Sequence, residues 1–155
     1  MSKIEIYIFI FALIVAGFFI LKSAPLSKEN ISNDQSSEKI ELETKTDEQK
    51  DVTVTVTPVD ISEKSEKWKF NISMSTHIVE LSQDMVLNSM LMDDRGKEYA
   101  AIQWEGAPPG GHHREGALIY NAIKPVPKSI ELRIADVGGV IRTFKWSINV
   151  SKEYE

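Results

Sequence analysis

Two-residue alternation of apolar and polar side chains, recurring from residue 52 to residue 150, constrains this sequence more than any other feature. In EKWKFNISMS, Trp68, Phe70, Ile72 and Met74 alternate with Lys67, Lys69, Asn71 and Ser73. Successive side chains of a strand point to opposite faces, so this pattern makes one face apolar and the other wet, with no helical reading. DVTVTVTPVDI repeats it, with Val52, Val54 and Val56 on one face and Thr53, Thr55 and Thr57 on the other. VLNSMLM and KEYAAIQW flank the turn-forming DDRG of Asp93 to Gly96. KSIELRIADV and VIRTFKWSINV flank Gly138-Gly139, a two-residue hairpin turn, and GALIYNA supplies a further strand. About seven short strands in about 100 residues predict an all-β domain over 51–152, an Ig-like antiparallel β-sandwich, with a barrel as the alternative closure. Trp68 and Trp146 are its expected core anchors.

The N-terminal residues obey a different rule. From Ile4 to Leu21 the run IEIYIFIFALIVAGFFIL is apolar apart from Glu5 and Tyr7. As a helix it would extend about 27 Å, close to the roughly 30 Å of a hydrocarbon core. Cleavage after Ala24 would place Lys22 where a signal peptidase site requires a small residue, so residues 1–22 read as one uncleaved transmembrane helix. Lys3 and the amino terminus nearly balance Lys22 and Lys28 across it; the expected orientation is N-in, with the C-terminal domain extracytoplasmic. Residues 23–50 are polar, with scattered single aliphatics and no aromatics, and read as a disordered linker. Within them EKIELETK has the composition of a short helix.

A chain of 155 residues accommodates one such domain with its anchor and linker. Asp and Glu number 23 against 18 Lys and Arg, so no basic footprint points to nucleic acid. With no cysteine, disulfides, thiolate metal sites and cysteine nucleophiles are all excluded.

Chemistry-bearing residues concentrate in two segments. All three histidines fall there: His77 in STHIVELSQD, and His112 and His113 in WEGAPPGGHHREG. Imidazole is a common ligand for zinc and copper, and a site gathers such donors from distant parts of a chain. Pro108-Pro109 and Gly110-Gly111 would present the pair from a restricted loop, with Asp84, Glu105 and Glu115 able to orient an imidazole from behind. Trp104 and Arg114 are the candidate contacts for a protein partner in the cell envelope. The competing reading makes the loop a structural corner, because no zinc-ligand spacing is matched. Ser75, Ser82 and Ser89 lack a nucleophile elbow or oxyanion loop, so no enzyme is expected.

STHIVEL, LMDDRGKEY, IQWEG, PPGGHHREGAL and RTFKW, spread from Trp68 to Trp146, together resemble an uncharacterised family of prokaryotic membrane-anchored β-sandwich domains. Its pattern is TH…WxG…PGGHHRxG. The resemblance implies an envelope context and no particular activity. The expectation is therefore a membrane-anchored extracytoplasmic binding module, holding the membrane through residues 4–21 and a transition metal through His77, His112 and His113. The alternative is a non-catalytic structural or protein-interaction domain with no metal site.

Overall fold

The structure, a computed structural model, describes residues 42–148. The expected transmembrane helix, residues 23–41 of the expected linker and the last residues of the expected domain lie outside the described residues. Nine strands follow in order: β1 (Lys45–Gln49), β2 (Val52–Asp60), β3 (Lys67–Thr76), β4 (Ser89–Asp93), β5 (Glu98–Ala100), β6 (Gln103–Gly106), β7 (His113–Asn121), β8 (Ser129–Val137) and β9 (Val140–Ser147). They form two antiparallel sheets, one ordered β1-β2-β3-β7-β6 and the other β5-β4-β8-β9. No strand is shared between the sheets, so the barrel alternative is not what forms. Among the described residues there is no helix.

The alternation read from sequence places the core. Val52, Val54 and Val56 of β2, Trp68, Phe70, Ile72 and Met74 of β3, Leu118 and Tyr120 of β7, Leu132 and Ile134 of β8 and Phe144 and Trp146 of β9 are all buried in one cluster. Phe70 joins the layers: its ring lies 5.9 Å from that of Trp146 on the facing sheet and 5.7 Å, edge-on, from Tyr120 beside it. Each such side chain contributes about 1.5–3 kcal/mol, so the cluster is the main source of stability in a chain without disulfides. The DDRG turn is fastened by Asp93. Burial pushes its carboxyl up, but hydrogen bonds from the Lys97 and Arg95 amides, the Arg95 guanidinium and the Tyr99 hydroxyl outweigh that and bring it down to about 2.

Two expectations are corrected. The domain begins before residue 51, because Lys45–Gln49, assigned by composition to the linker, is an ordered edge strand paired with β2 from Lys45↔Val56 to Gln49↔Val52. EKIELETK accordingly is no helix at its described end. The polar composition of β1 misled because its strand pairing and two long side chains from β9 hold it, rather than an apolar face of its own. Arg142, fully buried, donates to the Asp47 carboxylate, to Gln49 C=O and to Val137 C=O, while Trp146 Nε1 donates to Glu43 C=O at 2.7 Å. Second, KEYAAIQW is not one strand: its first half, β5, pairs with β4, and its second, β6, crosses to the other sheet to pair with β7. Ala101, buried between them, marks the crossing.

Both hairpin turns at one end of the sandwich have two residues at positive φ. Gly138 and Gly139 connect β8 to β9 at φ 65° and 72°; Lys50 and Asp51 connect β1 to β2 at φ 50° and 58°. Hairpin turns of this kind match the strand twist, and glycine adopts them without penalty, whereas a residue with a Cβ is strained by about 1 kcal/mol or more. The two turns abut, since a Cβ on Gly138 would lie 3.1 Å from that of Lys50.

Candidate functional site

The segment WEGAPPGGHHREG folds as a corner built on Arg114. β7 begins at His113, so Arg114 shares strand parity with Gly116, Leu118 and Tyr120 and points inward. Only 1% exposed, it donates from Nε to Ala107 C=O at 3.1 Å and from Nη1 to Gln83 C=O at 2.6 Å and Leu81 C=O at 3.3 Å. The Trp104 ring covers it, 5.4 Å from the guanidinium carbon, and Trp104 Nε1 donates to the same Ala107 carbonyl. Burial lowers the pKa of Arg114, and the Asp84 carboxylate partly offsets that. Facing glycines make room for the indole: a Cβ on Gly106 or Gly116 would come within 2.7 Å or 2.5 Å of Trp104 Cζ2. Gly110 N–H donates to Leu81 C=O and Leu81 N–H to Gly111 C=O, pinning the loop to the segment after β3.

This placement changes the role of several residues singled out from sequence. Arg114 is interior and satisfies carbonyls, so it is not an accessible partner contact; Trp104 is half-buried against it. Asp84 caps a turn, accepting from the Val86 and Leu87 amides, and stands behind no imidazole. Glu105 pairs with Lys69 at 3.2 Å, and Glu115 accepts from Ser73 Oγ at 3.0 Å.

The histidine segments meet as backbone. Thr76 N–H donates to His112 C=O at 2.9 Å, and Ser75 is the register partner of His113. Their imidazoles are all exposed. His77 lines a shallow depression of ≈ 350 Å³ with the β1–β2 turn, on the β2 side, whereas His112 and His113 lead into β7. Among the described residues no group of three His, Asp or Glu side chains is placed to hold a metal ion.

A different surface emerges on the outer face of the five-stranded sheet. An open groove of ≈ 510 Å³ crosses β2, β3, β7 and β6. Its rows follow the register. Thr57, Asn71, Ala117 and Glu105 are successive partners, and Thr55, Ser73 and Glu115 form the next row. The small Ala117 leaves a dip between hydroxyls and amide on one side and two carboxylates on the other, with Lys69 beside Glu105. Hydroxyl pairs continue the polar surface onto β1, with Thr46 3.0 Å from Thr55 and Thr44 2.9 Å from Thr57. These residues were visible in the sequence only as the wet half of an alternating pattern, which does not distinguish a groove from an ordinary solvent face.

No protein-family model and no curated protein matches the chain. Among solved structures, it is similar to the 1.5 Å crystal structure of MPT63, a secreted protein from Mycobacterium tuberculosis. Identity is 12%, coverage is 68% of this chain and 92% of that one, and the TM-score is 0.42. Nothing about that protein's role transfers at such a distance.

Proposed function

We propose that the chain is a membrane-anchored, extracytoplasmic and non-catalytic recognition module that binds a polar segment of an envelope protein in the groove above Ala117. The groove carries this reading. Its hydroxyls, amide and paired charges offer donors and acceptors in fixed rows, and a polar rim with a small central dip suits an extended polypeptide with a basic side chain over Glu105 and Glu115. The apolar run 4–21 supports the anchor, and N-in insertion would put the domain outside the cytoplasm. We further read the sandwich as Ig-like: β2-β3-β7-β6 facing β5-β4-β8-β9 follows the ABED and C′CFG order, with β1 added outside strand A.

A photo-crosslinking residue at Ala117 of the full chain, in cells, tests the groove against the same residue at Thr143, which lies exposed on the other sheet. The expected result is a discrete adduct from position 117 alone, abolished by Glu105→Lys with Glu115→Lys. Equal labelling from both positions contradicts it. The zinc or copper reading for His77, His112 and His113 gains no support from the imidazole placement described above. Calorimetric titration decides it: heats lost in His112→Ala/His113→Ala would restore that reading, and their absence in the unaltered chain would remove it.

A further inference from the structure

We propose that β1 exchanges between two copies of this chain, forming a dimer in which each β1 docks on the β2 of the other. This goes beyond the groove reading and does not depend on it. Every contact that holds β1 is portable. Among the described residues it pairs with β2, and further contacts come from β9, where Arg142 reaches the Asp47 carboxylate and Gln49 C=O and Trp146 reaches Glu43 C=O, and from Leu42 ahead of it, which packs on the core. An identical strand from a second copy reproduces all of them. β1 itself carries no buried apolar side chain and only the partly buried Leu42 ahead of it touches the cluster, so its departure opens the edge of the domain while leaving the buried core residues in place.

The hinge favours exchange. Lys50 and Asp51 hold left-handed backbone conformations despite their Cβ atoms, in a turn geometry that the neighbouring hairpin achieves with two glycines. Extending the hinge, so that β1 runs on into β2, releases that strain while the exchanged pairing keeps the ladder. Short strained connections to a terminal element are the usual setting for such exchange.

The geometry supplies a second, independent reason. β1 and β2 made continuous would bring the turn ends of two domains together. Three of the most exposed large apolar side chains among the described residues lie at that end: Ile78 at 72%, Leu87 at 82% and Ile141 at 61%. Ile78 follows the end of β3 paired with Val52, Leu87 precedes β4 where Ser89 pairs with Ile134, and Ile141 leaves the Gly138-Gly139 turn. A second copy at this end covers side chains that a lone domain leaves in water.

The lack of cysteine makes the test direct. Thr46 and Thr55 are register partners with hydroxyls 3.0 Å apart. Full-length chains carrying Thr46→Cys under one tag and Thr55→Cys under another are co-expressed and oxidised, with Thr46→Cys plus Thr143→Cys as the mismatched pair. Exchange predicts a covalent heterodimer from the first pair and none from the second. It also predicts a roughly tenfold smaller yield when Lys50→Gly and Asp51→Gly remove the hinge strain. The double variant Thr46→Cys/Thr55→Cys in one chain shows that the cysteines tolerate folding and meet. If that variant links only within its own chain while the separate variants never join, or if the glycine hinge leaves the yield unchanged, the proposal is overturned.

Discussion

The β1–β2 and β8–β9 hairpins sit side by side, turn against turn, with the same two-residue loop and the same sign of φ, yet they are built on opposite principles. In β8–β9 the sequence supports the turn directly. Glycines take the positive φ values of the turn itself, with Asp136 at φ 60° in the irregularity just before it, apolar residues alternate into the core, and the strands are long. In β1–β2 the turn is strained, the edge strand is polar, and what holds it comes from β9, a strand remote in sequence. A strand can thus belong to a sandwich through contacts its own residues do not advertise, and its attachment is correspondingly conditional.

Removing what β9 supplies should have the largest effect. Arg142→Met leaves the Asp47 carboxylate and the carbonyls of Gln49 and Val137 without their buried cation, an expected loss of about 3 kcal/mol or more in denaturant unfolding. A loss below about 1 kcal/mol would mean that β1 is held by its ladder alone. Next, Gly139→Ala has open space around its Cβ but a φ of 72°, so conformational strain alone should destabilise the domain by about 1–2 kcal/mol. Lys50→Gly is the reciprocal change and should act in the opposite direction. Strain relief of about 1 kcal/mol is partly offset by the freer unfolded chain, leaving a gain of about 0.5 kcal/mol.

Acid provides the smallest and most local perturbation. Burial pushes the Asp47 carboxyl up, but the hydrogen bond and charge of Arg142, with a further bond from Gln49, hold it below its ordinary value. A carboxylate lowered by folding contributes stability that is complete above its unfolded value of about 3.9 and fades as pH falls through that value toward the folded one. Asp93 has the same sign, with its lower limit at about 2. Asp47→Asn should therefore flatten part of the acid limb of stability below about pH 4, leaving the shares from Asp93 and from Glu131, which Lys145 and Arg133 hold below its ordinary value. An unchanged limb would show that the Arg142 contact adds nothing.

Much of the fold was legible in the sequence because it rests on period. The alternation in β2, β3 and β9 and the Gly138-Gly139 turn located those elements and named the core residues that the two sheets bury. What escaped was set by tertiary contacts. β1 has no apolar rhythm, and Lys50-Asp51 has no glycine to mark a positive-φ turn. Arg114 is charged and so reads as a partner contact, and Arg142 draws no attention in the sequence, although parity places the first with Leu118 and Tyr120 and the second with Phe144 and Trp146. Trusting parity over charge would have found both. The site was less legible still: the histidine segments do adjoin through backbone, but among the described residues no three His, Asp or Glu side chains gather to hold a metal, and no single segment encodes how its side chains will sit against another's.

Native-state amide hydrogen exchange of the full chain compares the two hairpins most directly. The account predicts that amides of β1 are protected, but through an opening of lower free energy than the one that exposes β8 and β9, and that Arg142→Met abolishes the β1 protection while leaving that of β8 in place. Protection of β1 and β8 through one common global opening, or none in β1 at all, would contradict it.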